Sequence, residues 1–367
     1  MMVFEPAAAL LQLSDSSHRM TLLQRITGFL TLAVSSALQC KDDSGRDVDW
    51  WVAVKAPRGT DYFYGDATSA GAFVASPHSM NDTGVGALGS TLRQIWTAPA
   101  SSIAYILWND DPPASSVAGW QPPASSYYNF SYGHTKGALV MDTGADGGGF
   151  WLTHSVPKFP AGPAQTPEGY NGLGSNAWMY GQSAACFSLT PTAVGPLAET
   201  LQFNHPHIYE TGGDFSSFPS AVGNLANGEW RADPICQQTA ISLGGLAATV
   251  FAKTPAWNAD LWSACVSPAL QSNLWVESWL RGSEEGPSCQ GFWQTLDVQN
   301  LAWESTTWKS YDDHSKWAFA QNTTSPTLCI GDINRMTTQF ERAGGAVCFS
   351  DPIATAFQAA ITQTNTC

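Results

Sequence analysis

The tripeptide His134-Thr135-Lys136 returns as His314-Ser315-Lys316 about half a chain length later, each time at the head of an apolar run, GALVM and WAFA. This duplication constrains the fold more than any other feature of the chain. In a β-strand residues i and i+2 point to one face, so each histidine projects beside its lysine while Thr135 and Ser315 point away. If two similar halves pack about a pseudo-twofold axis, the two pairs converge on one site. The expected organisation is a first half over 38–200 and a second over 201–367, with the seam near 195–205.

Short apolar runs bounded by Gly, Pro and Asn recur at 50–54, 103–108, 138–141, 150–154, 247–252, 274–279, 316–320 and 328–330, and they read as buried strands. Helical patterns interleave at 84–97, 259–271 and 351–364, the last opened by Asp351 as N-cap and Pro352 at the first helical position. The alternation predicts an α/β fold with mixed central sheets covered by helices. The stretches 110–126 and 157–175 are rich in Pro, Gly and Ser and read as long loops, of the kind that more often carry function than not.

Residues 20–40 have one basic residue, Arg25, then an apolar run over 26–34 and the small residues Ser35-Ser36-Ala37, which is the pattern of a secretory signal. Met20 is the expected start, and 1–37 stand apart from the fold. No other stretch is apolar for long enough to span a membrane. The eight cysteines all follow this segment, and an even count in a secreted chain reads as four disulfides, with no CxxC pair to suggest zinc or redox chemistry. Sequons at Asn81, Asn129 and Asn322 fit the same route, lysosomal or extracellular. The chain has 16 Lys+Arg against 30 Asp+Glu, a net charge of −14, and a pI of about 4.7. A broad basic surface for nucleic acid is therefore excluded at neutral pH. At acidic pH the repulsion fades and histidines become cations.

Two imidazoles and two ammoniums around one site suit a phosphodiester. Lys136 and Lys316 would neutralise the non-bridging oxygens, one of His134 and His314 would attack phosphorus, and the other would protonate the leaving oxygen. No metal or cofactor is required. A serine-hydrolase reading fails because the chain has no GxSxG elbow, and HExxH is absent as well. His205-Pro206-His207 reads as a loop, because no further Cys or His lies at metal-ligand spacing. Among 16 tryptophans most belong to a core, but Trp317, next to Lys316, and Trp151, in the strand leading to His154, are placed to border the site and stack a base.

The blocks CKDDSGRDVDWWVAVKAP, YGHTKGALVMD, GGGFWLTHSVPKFP, YGQSAACFSL, DHSKWAFAQ and CIGDINR resemble, in order, the deoxyribonuclease II family of the phospholipase D superfamily. The resemblance implies a phospholipase D-like fold of two pseudo-symmetric αβα halves. It also implies metal-independent hydrolysis of DNA to 3′-phosphate and 5′-hydroxyl ends through a phosphohistidine, with superfamily precedent favouring His134 as nucleophile and His314 as acid. A third functional histidine falls on His154, and the acid that follows the motif in the superfamily falls on Asp142, with Asn322 in that register of the second half. His154 and Asn334 lie equally far beyond Lys136 and Lys316, which suggests that both line the pocket. The family's disulfide arrangement implies Cys40–Cys186, Cys289–Cys367 and Cys329–Cys348, leaving Cys236–Cys265 by elimination. Two other readings are a silent secreted protein that captures DNA or another polyanion, and a phospholipase acting on lipid phosphodiesters. The sequence fixes no oligomeric state.

Overall fold

The computed structural model describes residues 38–113, 132–144, 147–321 and 323–367. The expected secretory signal, most of the 110–126 loop and the sequons at Asn129 and Asn322 lie outside them. Residues Ala37–Cys367 form one compact unit, in which two sheets form among the described residues.

The first sheet contains β1 (Trp50–Lys55), β2 (Asp61–Asp66), β3 (Val74–Ser79), β4 (Ile103–Asn109), β5 (Lys136–Asp142), β6 (Gly149–His154), β7 (Gln182–Leu189) and β8 (Ile208–Gly212). Their order is β3-β2-β1-β7-β6-β5-β4-β8, with every pair antiparallel. Helices α1 (Gly86–Leu92), α2 (Gln94–Thr97), α3 (Pro191–Leu201) and α4 (Ser220–Ala226) accompany it. Although β8 follows residue 200 in the chain, its hydrogen bonds go to β4.

The second sheet takes β9 (Cys236–Leu243), β10 (Leu246–Lys253), β11 (Leu274–Glu277), β12 (Thr295–Trp303), β13 (Thr306–Lys309), β14 (Trp317–Ala320), β15 (Thr327–Gly331) and β16 (Gly344–Ser350). Their order is β13-β12-β11-β14-β15-β16-β10-β9, and β17 (Ile361–Thr364) pairs with β12. Only β11 and β12 run parallel, which makes this sheet the mixed one. Helices α5 (Ser267–Leu270) and α6 (Ala354–Ala360) belong to this part of the chain. The path β1-β7-β6-β5-β4 is repeated as β10-β16-β15-β14-β11 with the same chain order. This is the duplication that the His-x-Lys repeat announces.

Alternation along the strands builds three cores. In β1, Trp50, Val52 and Val54 face a core shared by both sheets, where Trp50 and Phe187 reach Phe349 at 5.7 Å between ring centroids. Trp51 and Ala53 face the other way, into a core closed by Ala87, Leu88 and Leu92 of α1. Phe251, Val276 and Ala318 meet Trp262 and Val266 on the outer face of the second sheet. The expected helix over 351–364 is only half helical, because Ile361–Thr364 straighten to pair with β12. The 259–271 helix includes a π turn over Trp262–Val266. The sequence pattern gives no hint of α3, which carries Pro196 inside it. All four expected disulfides are present: Cys40–Cys186, Cys236–Cys265, Cys289–Cys367 and Cys329–Cys348.

Candidate active site

Each His-x-Lys motif enters a strand: Lys136 is the first residue of β5, and Trp317, directly after Lys316, is the first of β14. Each histidine is anchored by the opposite half of the chain. The His134 amide donates to the Ala343 carbonyl and the His314 amide to the Gly181 carbonyl, both at 2.8 Å. The first anchor depends on glycine at 133, since a Cβ there would lie 1.8 Å from the Asn204 carbonyl oxygen.

The ring hydrogen bonds fix complementary tautomers. His134 Nδ1 lies 2.5 Å from the Asp332 carbonyl oxygen. A carbonyl only accepts, so Nδ1 carries the proton and Nε2 of the neutral ring presents a lone pair. His154, the last residue of β6, shows the reverse. Its Nδ1 accepts the Val156 amide at 3.2 Å, so Nε2–H is the remaining donor, and it is buried without a partner. The β5–β6 register sets Gly137 against Thr153, which brings His154 opposite Lys136 one step further on.

Around Lys136 the central group is Asp110, just beyond the end of β4. It is ion-paired to Lys136 at 2.5 Å and to Arg342 at 2.9 Å, and lies 3.9 Å from His134 Nε2. Burial alone would raise its carboxyl, but Lys136, His134 and Arg342 hold it well below the usual carboxylate range. Arg342 is in turn set by its Nε–H donating to the Tyr132 carbonyl at 3.2 Å. Lys253 donates to the carbonyls of Gln339, Phe340 and Arg342 and so fixes the turn that carries this arginine.

Among the described residues no carboxylate ion-pairs with His314, and the neighbouring Asp313 turns its carboxylate to the Trp308 indole and the Ser315 amide. Its ring stacks on Tyr180 at 4.4 Å, nearly parallel, and meets Trp279 edge-on at 4.2 Å. Its Nε2 is buried without a partner. Burial, then the charge of Lys316, brings its pKa down to about 2. Lys316 donates to the His314 carbonyl at 2.5 Å, and burial together with the charge of Lys136 lowers it to about 7. Burial and Lys136 likewise keep His154 near 3 and His134 well below its ordinary value. The charge of Lys316 is felt at His134 and that of Lys136 at His314, so the two motifs share one electrostatic field.

Several expected site residues lie elsewhere. Trp317 is fully buried in the core between the sheets, against Trp303 and Phe357. Trp151 packs on Phe187 in the same core. The reason is strand alternation: a residue adjacent to Lys316 or three before His154 points to the opposite face. Asp142 ends β5 at the far end from Lys136, where its side chain caps the Gly144 amide; the acid beside the lysine is Asp110. Asn322 is outside the described residues.

Asn334 is not the counterpart of His154. The Gly331 amide bonds to the Lys316 carbonyl, so Gly331 holds that register, while Asn334 supports Trp279 by accepting its amide at 3.3 Å. Asp110, Arg342, Asp332, Tyr180 and Trp279 escape sequence reasoning. For Asp110 a signal exists in two consecutive acids directly after a strand, within a stretch otherwise read as loop. His205 and His207 sit in the connection to β8, where His205 Nε2–H donates to the Arg231 carbonyl and His207 stacks on Tyr132. Among the described residues no group of three or more His, Cys, Asp or Glu gathers to hold a metal ion.

The family model for deoxyribonuclease II matches residues 39–367. The chain belongs to the deoxyribonuclease II family. Deoxyribonuclease-2 of Caenorhabditis elegans is 32% identical, with 92% of this chain and 97% of that protein covered. Deoxyribonuclease-2-alpha of Rattus norvegicus is 33% identical over 87% of this chain and 91% of its own length. A putative deoxyribonuclease-2 of Burkholderia thailandensis is also 33% identical, over 86% and 90% respectively. Family membership thus covers both His-x-Lys motifs.

Proposed function

We propose that this chain hydrolyses the phosphodiester bonds of DNA endonucleolytically, with no metal, through a phosphohistidine on His134. One observation carries the reading: His134 and His314 are each tied by a backbone hydrogen bond into the opposite half, and each feels the other motif's lysine. Lys136 and Lys316 hold the non-bridging oxygens, replacing the positive charge that a metal ion would supply. His134 Nε2, whose lone pair is set by the Nδ1–H bond to Asp332, attacks phosphorus. The P–O5′ bond breaks, and His314 gives its proton to the departing oxygen. Phosphorus remains on the 3′ side, joined to His134. Water then attacks, His314 takes its proton, the P–N bond breaks, and a 3′-phosphate leaves. His154 Nε2–H donates a hydrogen bond to the phosphoryl group throughout.

Burial and nearby cations keep His314 neutral. The negative charge of a bound phosphodiester acts the other way and raises its pKa, so the acid form is reached at low pH. The four disulfides support an oxidising route to a lysosomal or extracellular destination. A silent polyanion-binding protein would have no need of two anchored histidines.

The test is plasmid cleavage at about pH 5, between the carboxylate and imidazole ranges, in excess EDTA, followed by analysis of the ends. Cleavage persists, and ligase joins the fragments only after phosphatase and kinase treatment. Loss of activity in chelator with recovery on added Mg²⁺ or Zn²⁺, or directly ligatable ends, would overturn the mechanism.

A further inference from the structure

A column of stacked rings leads from His314 to the surface. Tyr180 lies on the His314 ring at 4.4 Å, and the Arg281 guanidinium lies 4.9 Å from the Tyr180 centroid and 3.9 Å from that of Tyr311. Arg281 is immobilised by its own donors: Nε–H goes to the Tyr311 carbonyl at 2.9 Å, Nη1 to the Tyr180 hydroxyl at 3.0 Å and Nη2 to Asp312 at 3.2 Å. The guanidinium therefore serves as a rigid platform under Tyr311.

Tyr311 is 53% exposed, with the guanidinium against one face of its ring. Beside it the chain folds a second segment to the same place. The Arg58 and Gly59 amides bond to the carbonyls of Met179 and Trp178, and the Gly181 amide to that of Asp312. This gathers Trp178, 47% exposed, and Arg58, which approaches Asp312 at 3.7 Å with its side chain mostly in solvent.

Other cations near the site are buried: Lys136 and Arg342 beside Asp110, Lys253 against carbonyls, and Lys55 against the carbonyls of Ala56 and Gly59. An acidic protein that exposes aromatic rings next to two arginines, at the end of a stack touching a reactive imidazole, offers what a nucleic-acid strand needs: a π-face for a base and a cation for a phosphate.

We propose that the face of the Tyr311 ring opposite Arg281 is a nucleobase subsite, stacking an unpaired base of the strand that carries the scissile phosphate, on the His314 side of the reacting bond, with Arg58 taking a neighbouring phosphate. This rests on the reading of the chain as a deoxyribonuclease and deepens it. It makes Tyr311 a positioning residue that acts on strand binding, and it assigns to bases a share of affinity that phosphates alone do not provide. No base preference follows, since every base has a π-face.

The experiment compares kcat and KM on a short oligothymidylate and on the same strand with tetrahydrofuran spacers in place of its nucleosides, which keeps the phosphates and removes the bases. The wild-type protein shows a KM about tenfold lower for the strand with bases, from stacking on one ring. Tyr311→Ala abolishes most of that difference in KM, and Tyr311→Phe restores it. Equal KM values for the two strands in the wild-type protein, or an undiminished difference in Tyr311→Ala, would overturn the subsite. Cleavage of neither strand by the wild-type protein would instead overturn the deoxyribonuclease reading.

Discussion

Asp110→Asn is the most informative single perturbation of the site. Asp110 is buried among Lys136 at 2.5 Å, Arg342 at 2.9 Å and His134 at 3.9 Å. At an effective dielectric of about 20, the gross attraction is about 7 kcal/mol to Lys136 and about 6 kcal/mol to Arg342, much of it offset by desolvation of the three groups. Removing one partner of a buried pair costs about 3–5 kcal/mol, because the remaining charge stays buried and unpaired. For a unit of this size about 3 kcal/mol corresponds to a fall in Tm of about 4 °C. The sign with pH is fixed. The folded-state pKa of Asp110 is depressed, so its stabilisation is present above the ordinary carboxylate value and lost only as pH falls through the lower folded value. The destabilisation should therefore be similar at about pH 5 and about pH 7, both above the carboxylate range. Inorganic phosphate supplies the missing negative charge and should raise the Tm of Asp110→Asn more than that of the wild-type protein. Thermal unfolding followed by tryptophan fluorescence, with and without phosphate, measures both. A variant with wild-type Tm and no added response to phosphate would refute Asp110 as the counter-ion of the site.

His134→Ala and His314→Ala each should reduce plasmid cleavage at least a hundredfold in a folded protein, since a positioned acid, base or nucleophile contributes about 10²–10⁴-fold. Cleavage above about a tenth of wild type in either would contradict the shared site. The pH profile should be bell-shaped with its maximum on the acid side of about 6.5, because burial and Lys316 hold His314 near 2 until an anion arrives. Phosphate binding at that pH should take up protons, measured by calorimetry in buffers of different ionisation enthalpy. Absence of uptake, or recovery of acid-pH activity by salt alone at neutral pH, would show that protein–DNA repulsion and not imidazole protonation sets the optimum.

The sequence made the duplicated half legible because its signal is local: His, Lys and a following apolar strand lie within a few residues, and the register of β5 and β14 preserves that adjacency. His154 was also within reach, since a hairpin carries it opposite Lys136. The remaining groups depend on contacts between segments far apart in the chain. Asp110 meets Arg342, and His134 meets Asp332, only after the sheets have packed, and no short-range pattern encodes either. The equal spacing of His154 and Asn334 misled for the complementary reason. Equal distance along a chain gives equal position only when the strands pair with the same offset. Lys136 stands opposite His154, but Lys316 stands opposite Gly331. Trp151 and Trp317 misled by alternation, which sends neighbours of site residues into the core between the sheets.

The two halves share a five-strand path, and their differences bear on which histidine does what. In the first, Asn109 pairs with Lys136, so Asp110 is the residue directly after β4. In the second, Glu277 pairs with Trp317, which sets Ser278 against Lys316 and makes Trp279 the counterpart of Asp110. A carboxylate in one half is thus an indole in the other. Across the lysines the halves differ as well, since His154 corresponds to Gly331, against which the Trp262 ring packs. His134 consequently has an anionic neighbour, Asp110, that opposes the effect of burial and of the nearby cations on it, together with a carbonyl fixing its Nε2 lone pair. An imidazole that acquires positive charge on attacking phosphorus gains from such a neighbour in the product of that step. His314 lies between Tyr180 and Trp279, with no counter-ion in contact among the described residues and cations acting on it, so its cationic form depends on the substrate's own charge. That is the condition wanted of a proton donor: it charges when a phosphodiester is present and reverts to a base once the leaving strand has taken its proton.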